Sequence, residues 1–229
     1  MTEPASVFII VPAFNESEAL ANVLDQLTRS PYNVIVIDDG SSDDTSAIAL
    51  RFPVVVLRHI CNLGQGAALQ TGITYALARA ETKFIITFDS DGQHEANDLE
   101  RLLRPLRQQT CDVVLGSRFM PGGETVNMEF SKRVLLRAAA RFTRLLTGLR
   151  VTDSHNGLRA LTRAAAERIC ISQNRMAHAS QILAQIAAAG LSYCEAPVKI
   201  VYTAYSKQKG QSIFNSLNIV WDMLAEKIR

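Results

Sequence analysis

Two aspartates separated by one residue follow an apolar segment in the stretch FDSDGQH, residues 88–94. The apolar residues 84–88 predict a buried strand, which would place Asp89 and Asp91 at its carboxyl end. Neighbouring carboxylates repel and raise each other's pKa, so the pair needs a compensating positive charge. Mg²⁺ and Mn²⁺ prefer oxygen ligands and commonly share them with substrate phosphates. Asp89, Asp91 and Gln93 are therefore candidate metal ligands, and His94 could add its imidazole.

Two further polar clusters follow earlier apolar segments. The stretch DDGSSDDT begins with Asp38 and Asp39, whose oxygens suit the amide of a uracil or guanine and the hydroxyls of a ribose. The stretch NLGQGAAL places Gly64 at a helix start, where backbone N–H groups could face an anion. An ordinary helix entry explains this second stretch equally well.

The elements that must position these residues alternate along the first half of the chain. Short apolar runs predict strands at residues 7–11, 34–37, 54–57, 84–88 and 113–115. Helical spacing of apolar residues predicts helices at residues 16–29, 43–51, 64–80 and 96–108. This alternation predicts an α/β protein with a mainly parallel, doubly wound sheet, in which ligands bind beyond the carboxyl ends of the strands. One cleft could then collect all the polar clusters.

The second half of the chain has a less regular pattern. It predicts helices at residues 131–147 and 177–189, a loop at 151–157, a strand at 193–202 and a polar loop at 205–212 before a final helix. We expect a catalytic domain over residues 1–205 and a C-terminal loop and amphipathic helix over residues 206–229.

Composition excludes several classes of protein. The 229 residues are 48% hydrophobic and 20% charged, which suits one sizeable globular domain, and no apolar run reaches the ~18–20 residues of a membrane span. The four cysteines form no CxxC pair, so a disulfide framework or zinc site is not expected. Residues 1–110 carry 8 Lys/Arg and 14 Asp/Glu, and the remainder carries 16 and 8. The C-terminal half therefore suits an anionic partner.

Six motifs in order resemble family 2 glycosyltransferases, over roughly residues 6–200. They are VPAFNE, DDGSSDDT, NLGQGAALQTG, FDSDGQHEANDL, VVLGSRF and DSHNGLRAL. The chain is most similar to the polyprenyl-phosphate branch, which includes the dolichol-phosphate mannose synthases. The resemblance implies a GT-A fold and an inverting transfer from a UDP- or GDP-sugar to a polyprenyl phosphate, with Mg²⁺ or Mn²⁺ and no nucleic-acid partner.

The resemblance also assigns roles to residues of this chain. It implies that Asp89, Asp91, Arg118 and Asp153 are catalytic, and that Asp89, Asp91 and Gln93 hold the metal. The implied nucleotide-sugar ligands are Pro12, Asn15, Glu16, Asp38 and Asp39, and we also predict Gly64, Asp89 and Ser90 to bind the nucleotide-sugar. The resemblance implies that Arg118 and Arg159 contact the acceptor, and we also predict Arg133, Lys207 and Ser212 as acceptor ligands.

The chain departs from the family pattern in its second half. It has Asn156-Gly157-Leu158-Arg159 where many relatives have Ser-Gly-Phe-Arg, and Gln181 where an acidic residue is common. It has tyrosines and lysines where relatives tend to have an arginine-rich segment after the strand 193–202. These departures leave the sugar and the acceptor open.

The acceptor decides whether a general base is needed. A phosphate monoester is already anionic near neutral pH, so it needs positive charge to position it, whereas a hydroxyl acceptor needs a base. The positive C-terminal half favours the phosphate. The alternative is a soluble glycosyltransferase that extends a glycan or a lipid-linked oligosaccharide, with Asp153 or His155 as base. A non-catalytic nucleotide-sugar-binding module would bind the donor without releasing a nucleoside diphosphate.

The predicted helix 131–147 carries arginines at positions 133, 137, 141 and 144, which share one face. A basic amphipathic helix suits an anionic membrane surface, although an ordinary solvated outer face has the same pattern. The final segment, residues 211–229, has an apolar stripe that suits packing on the core, on a membrane or on a partner helix. We therefore expect a cytoplasmic protein, peripheral at the membrane face or anchored by a small membrane-protein partner.

Overall fold

The fold is built on a seven-stranded sheet. The computed structural model describes residues 3–173 and 177–209, with the side chains of residues 5–173 and 177–206. The strands of this sheet are β1 (Val7–Ala13), β2 (Asn33–Asp38), β3 (Val55–Arg58), β4 (Phe84–Thr87), β5 (Val113–Ser117), β7 (Arg159–Thr162) and β8 (Tyr193–Pro197). Their order is β3-β2-β1-β4-β7-β5-β8, and every neighbouring pair is parallel except those of β7. A two-stranded sheet pairs β6 (Glu124–Val126) with β9 (Lys199–Val201).

Helices cover both faces of the large sheet. They are α1 (Leu20–Leu27), α2 (Thr45–Ala49), α3 (Gln65–Leu77), α4 (Leu99–Arg107), α5 (Phe130–Thr147), α6 (Arg163–Ala166), α7 (His178–Ala188) and α8 (Ala204–Lys209). Successive strand side chains point to opposite faces, so β1 contributes to two separate cores. Ile9 packs with α1 and α4 on one face, and Ile10 packs with α3 and α7 on the other.

The predicted α/β architecture is confirmed, including the mainly parallel sheet. The five predicted strands of the first half all form, and the four predicted helices form with shorter bounds. The prediction of one strand over residues 193–202 is wrong, because β8 ends at Pro197 and β9 joins a different sheet. Proline has no amide N–H to continue a ladder. The prediction of a polar loop at 205–212 is also wrong where α8 forms, and β6 and β7 were not predicted.

The C-terminal predictions are only partly covered by the structure. The expected boundary between residues 205 and 206 falls within α8, and the final amphipathic helix and Ser212 lie outside the described residues. Lys207 lies in α8, but its side chain is not among those described. Within residues 3–173 and 177–209, no helix is long and apolar enough to cross a membrane.

Candidate active site

The carboxyl end of β4 carries Asp89 and Asp91 on either side of a buried serine. The Ser90 hydroxyl donates to the carbonyl oxygen of Pro12 at 2.7 Å and so joins this segment to β1. Ser90 was predicted to bind the nucleotide-sugar; its hydroxyl has an internal partner here. The serine thus anchors the segment from which the two carboxylates project.

Asp89 is held by three neighbours. Its Oδ1 accepts from Gln65 Nε2 at 3.0 Å, and its Oδ2 lies 3.1 Å from His94 Nε2. The carboxylate also lies against Gly157, where an added Cβ would be 2.5 Å from Oδ1. Burial alone would raise the pKa of Asp89, but the hydrogen bond with His94 and its charge lower it. Asp89 is therefore an oriented carboxylate, and His94 orients it.

The pKa of Asp91 is shifted in the opposite direction to that of Asp89. Burial, and then the negative charge of Asp89, raise the pKa of Asp91 to about 6, and Glu16 adds to the effect. Its oxygens accept from the backbone N of Gln93 at 3.0 Å and from Gln93 Nε2 at 2.5 Å. Gln93 was predicted to be a metal ligand, and its amide here acts as a donor to Asp91. The excess of negative charge is what a bound cation would relieve.

Asp38 and Asp39 were predicted to bind the nucleotide, and both also serve as buried internal acceptors. Asp38 accepts from the backbone N of Ser41 at 2.8 Å and from the Ser46 hydroxyl. Its Oδ2 lies 3.4 Å from Arg58 Nε. Asp38 thus shapes the loop that follows β2.

Asp39 holds the start of α3. It accepts from the backbone N–H groups of Leu63 at 2.9 Å and Gly64 at 2.7 Å, and lies 2.7 Å from His59 Nδ1. The N–H groups that the sequence suggested for an external anion therefore face an internal one. Gly64 has a φ of 97°, which a residue with a Cβ rarely adopts.

The loop after β1 is fastened to the loop after β2. Asn15 has a left-handed φ of 53°, and its side chain accepts from the backbone N of Ser42 at 2.9 Å. The buried Glu16 accepts from the Tyr205 hydroxyl of α8 at 2.8 Å. Pro12, Asn15 and Glu16 therefore lie beside Asp38 and Asp39, in one predicted nucleotide pocket.

Arg118 follows β5 and forms a buried ion pair. Its Nε donates to Asp153 Oδ2 at 2.5 Å, and its Nη1 donates to the Tyr202 hydroxyl at 2.6 Å. Burial would lower the pKa of Arg118, but the charge of Asp153 raises it. Asp153 also accepts from the backbone N of His155 at 3.3 Å. Arg118 and Asp153, two of the four predicted catalytic residues, are thus brought together as an ion pair.

Lys132 of α5 is a cation that the sequence analysis missed. Its Nζ lies 4.5 Å from the centre of the Tyr202 ring. Burial and the nearby charge of Arg118 lower the pKa of Lys132, while Asp91 opposes the shift. Lys132 and Arg118 therefore form a cationic pair near the acidic end of β4. The predicted acceptor ligand Arg133 donates to the Thr125 hydroxyl at 3.0 Å.

Arg159 is buried at the start of β7, paired with Thr87 of β4. It donates to the carbonyl oxygens of Asn156 at 3.1 Å and Ala179 at 3.4 Å. Burial lowers the pKa of Arg159 to about 10, although the charges of Asp89 and Asp153 oppose this shift. Arg159 supplies positive charge behind the Asp89 carboxylate.

His155 lies in the loop that follows α5, beside Asp153. Its Nδ1 is 2.9 Å from the Ser154 hydroxyl. Burial lowers the pKa of His155, although the charge of Asp153 opposes the shift. The imidazole is therefore neutral near pH 7.

Known proteins resemble this chain along most of its length. The model of the family described as "Glycosyl transferase family 2" matches residues 8–170. The chain belongs to glycosyl transferase family 2. Proteins similar to it include an uncharacterized protein of Methanocaldococcus jannaschii, with 39% identity over 97% of this chain and 92% of the relative. Another is the UDP-N-acetylglucosamine–dolichyl-phosphate N-acetylglucosaminyltransferase of Methanococcus voltae, with 30% identity over 97% of this chain and 96% of the relative.

A third relative is the polyprenol monophosphomannose synthase of Mycolicibacterium smegmatis, with 32% identity over 74% of this chain and 69% of the relative. Among solved structures, Mycobacterium tuberculosis glucosyl-3-phosphoglycerate synthase matches with a TM-score of 0.73 and 16% identity. That match covers 96% of this chain and 80% of the synthase chain. The GT-A-like fold expected of this family is thereby confirmed.

Proposed function

We propose that this family 2 glycosyltransferase moves a sugar from a nucleotide-sugar to the phosphate of a polyprenyl phosphate, with inversion and with a divalent metal. The observation that carries the proposal is the meeting of two opposite charge clusters. Asp89 and Asp91 form an acidic pair at the end of β4, and Arg118 and Lys132 form a basic pair near it. The acidic pair suits a cation on the donor diphosphate, and the basic pair suits a phosphate.

The metal part of the proposal rests on the electrostatics of Asp91. Burial raises the pKa of Asp91 most and repulsion by Asp89 raises it further, and a bound cation would offset the repulsion. No three His, Cys, Asp or Glu side chains form a metal cluster in the part of the chain that the structure describes. Asp89 and Asp91 would therefore hold Mg²⁺ or Mn²⁺ together with oxygens of the diphosphate, a common arrangement for Mg²⁺. The M. tuberculosis synthase has been crystallised with Mn²⁺ and UDP-glucose.

The proposal of a phosphate acceptor rests on the burial of Asp153 and on its ion pair with Arg118. Its carboxylate bonds Arg118 through Nε and Nη2 and is 3% exposed, which ill suits it to receive a proton from a hydroxyl acceptor. An anionic phosphate needs no such base. The M. voltae relative is named for transfer to dolichyl phosphate, and the M. smegmatis relative is named for the synthesis of polyprenol monophosphomannose.

The residues of this chain would then divide the reaction between them. Arg118 and Lys132 would orient the acceptor phosphate for attack on the anomeric carbon from the face opposite the diphosphate. Asp89, fixed by Gln65 and His94, would hold the cation together with Asp91. The metal would stabilise negative charge on the leaving diphosphate. Preorganised charge of this kind usually lowers the barrier of such a transfer more than any other single effect.

A membrane-surface position is part of the proposal. The exposed side of α5 combines Phe130 (80% exposed), Val134 (52%) and Leu145 (84%) with Arg137 and Arg141. Apolar and cationic side chains on one helix side suit the interface of an anionic bilayer. Such a position would bring the site to a lipid-borne phosphate.

Transfer assays test the proposal directly. The purified protein is incubated with Mn²⁺, a short-chain prenyl phosphate and UDP- or GDP-sugars in turn, and products are identified by mass spectrometry. We expect a glycosyl phosphodiester of inverted anomeric configuration, lost with EDTA and restored by Mn²⁺. Donor binding without any released nucleoside diphosphate would support the non-catalytic module instead.

The second candidate is transfer to a sugar hydroxyl, extending a glycan. The specific observation in its favour is the lowered pKa of His155, because a neutral imidazole can accept a proton. An oligosaccharide acceptor in the same assay decides between the two. Product from the oligosaccharide alone would overturn the phosphate acceptor.

A further inference from the structure

The edge strand β8 carries a carboxylate that the proposed reaction does not use. Glu195 Oε1 accepts from the backbone N of Thr152 at 2.7 Å and of Asp153 at 3.3 Å. Both of its oxygens lie 2.9 Å from Thr152 Oγ1, which donates to them. Glu195 therefore holds the backbone from which the Asp153 side chain reaches Arg118.

A chain of hydroxyl groups links Glu195 to the residues on either side of Arg118. Ser117 Oγ lies 2.6 Å from Thr152 Oγ1 and accepts from the backbone N of Phe119 at 3.2 Å. An ionised carboxylate accepts hydrogen bonds and donates none. The Thr152 hydroxyl must then donate to Glu195, and the Ser117 hydroxyl must donate to Thr152. Glu195 thus sets the direction of the hydrogen bonds that run through the Thr152 and Ser117 hydroxyl groups.

We propose that Glu195 is a positioning residue for Arg118. It acts from one side through Asp153, the ion-pair partner of Arg118, and from the other through Ser117 and Thr152. Glu195 itself does not contact Arg118 in any hydrogen bond or ion pair among the described residues. Its effect is to fix the guanidinium where an acceptor phosphate would meet it, so the proposal rests on the proposed function.

The same pair of strands offers a matched control. At the end of β5 and β8 that lies away from Arg118, Asp112 Oδ2 accepts from the backbone N of Ser192 at 3.0 Å and from its hydroxyl at 2.6 Å. Asp112 and Glu195 are thus both carboxylates that bridge to a backbone N–H and a hydroxyl. Glu195 lies opposite Leu115 at the middle of the two strands, and its hydrogen bonds reach Thr152 and Asp153, which in turn bond Ser117 and Arg118. If both carboxylates were purely structural, the two substitutions would have similar effects.

The first measurement is steady-state transfer to a short-chain prenyl phosphate. We expect Glu195→Ala to lower kcat/KM by ~10²-fold, as small misplacements of a positioning group do, while the Kd of the nucleoside diphosphate stays unchanged. Glu195→Gln should recover part of the loss, because its amide oxygen still accepts from both backbone N–H groups. Asp112→Ala should keep the wild-type kcat/KM.

The second measurement needs no substrate. The Arg118 Nε–H resonance, identified by its loss in Arg118→Lys, should exchange slowly with solvent in the wild type because it is buried on Asp153. Exchange should accelerate in Glu195→Ala and stay slow in Asp112→Ala. If Glu195→Ala does not fold, Thr152→Val carries both measurements, since it removes only the hydroxyl link.

The two proposals fail in different ways. A wild-type protein inactive on prenyl phosphate would overturn the acceptor, and the Arg118 resonance would still decide the role of Glu195. Equal exchange and equal transfer in Glu195→Ala and Asp112→Ala would overturn the positioning role alone.

Discussion

At the scale of single residues, the two aspartates of the acidic pair are not equivalent. Asp89 is fixed by Gln65 and His94 and its pKa is lowered, whereas the pKa of Asp91 is raised to about 6. Burial opposes the charge on both carboxylates, but only Asp89 has compensating partners strong enough to reverse it. Ionisation is therefore disfavoured in the fold at Asp91 and favoured at Asp89.

Asp91→Asn should abolish transfer without weakening the metal-free fold. A folded-state pKa above the unfolded value means that ionised Asp91 destabilises the fold above pH 6, and this cost fades as acidification protonates the group. With EDTA at pH ~7.5, urea unfolding should show equal or higher stability for the variant, while transfer falls by more than ~10²-fold.

Asp43→Asn is the control for this substitution. Asp43 accepts from the backbone N of Thr45 at 3.0 Å and of Ser17 at 3.1 Å, and although burial opposes its charge, the hydrogen bonds from these two residues lower the pKa of Asp43 to about 2. A folded-state pKa below the unfolded value means that ionised Asp43 stabilises the fold, so neutralising it should lower stability. An Asp91→Asn protein that is fully active, or less stable than wild type in EDTA, would contradict the metal site.

Gly157→Ala should displace Asp89 with little effect on the backbone. The φ of Gly157 lies outside the left-handed region, so alanine fits the backbone, but its Cβ would overlap the carboxylate. We expect Mn²⁺ affinity, measured by electron paramagnetic resonance, to fall while the unfolding midpoint changes little. Unchanged Mn²⁺ binding would mean that Asp89 is not a ligand.

At the scale of secondary-structure elements, apolar runs were enough to predict the first five strands. Strand β7 was not predicted, because it is short and begins with a buried arginine, Arg159, which no hydrophobic pattern marks. Strand β9 escaped because the pattern of residues 193–202 predicts one strand, whereas Pro197 ends the first pairing. The boundary of α5 was predicted to within one residue, since its pattern extends over 18 residues.

The four arginines of α5 have different surroundings, which refines the prediction of membrane binding. Arg144 donates to the carbonyl oxygen of Val151 at 2.7 Å and Arg133 to Thr125, so both contribute to the fold. Arg137, Arg141 and Arg144 are exposed, and the Arg137 guanidinium also lies 5.3 Å from the centre of the Phe119 ring. Changing Arg137 and Arg141 to Gln should reduce sedimentation with anionic liposomes, most clearly at low salt, because exposed charges are screened over ~8–10 Å near physiological salt.

An apolar pair of variants separates insertion from simple charge attraction. Leu145→Ser on α5 should weaken sedimentation with anionic liposomes, whereas Ile60→Ser should not, although Ile60 is more exposed than Leu145. Equal behaviour of the two variants would remove α5 as the docking helix. Donor binding should be unchanged in both, since both side chains project into solvent.

At the scale of the whole molecule, the acidic and basic residues of the site come from different halves of the chain. The N-terminal half supplies the carboxylates at the ends of β1, β2 and β4, and the C-terminal half supplies Arg118, Lys132 and Arg159. The pairings between elements could not be predicted, because they join residues far apart in sequence. Arg118 and Tyr202 are 84 residues apart, and Gln65 and Asp89 are 24 apart. Spacing within one element carries no information about such contacts.

The pH dependence of the transfer rate should distinguish a phosphate acceptor from a hydroxyl acceptor. A phosphate monoester takes up its second proton near pH ~6, so transfer to a prenyl phosphate should decline below that pH for a reason that lies in the acceptor. The decline should therefore persist in His155→Gln, which deletes the remaining candidate base. The decline should also shift to higher pH with a prenyl phosphonate, which holds its second proton more tightly.

With a hydroxyl acceptor, the decline should instead depend on His155 and not on the acceptor, because His155 would lose its function as a base by taking up a proton below its usual pKa. A His155→Gln enzyme that is inactive at every pH, with a wild-type decline at the same pH for phosphate and phosphonate, would assign the decline to His155 and contradict transfer without a base.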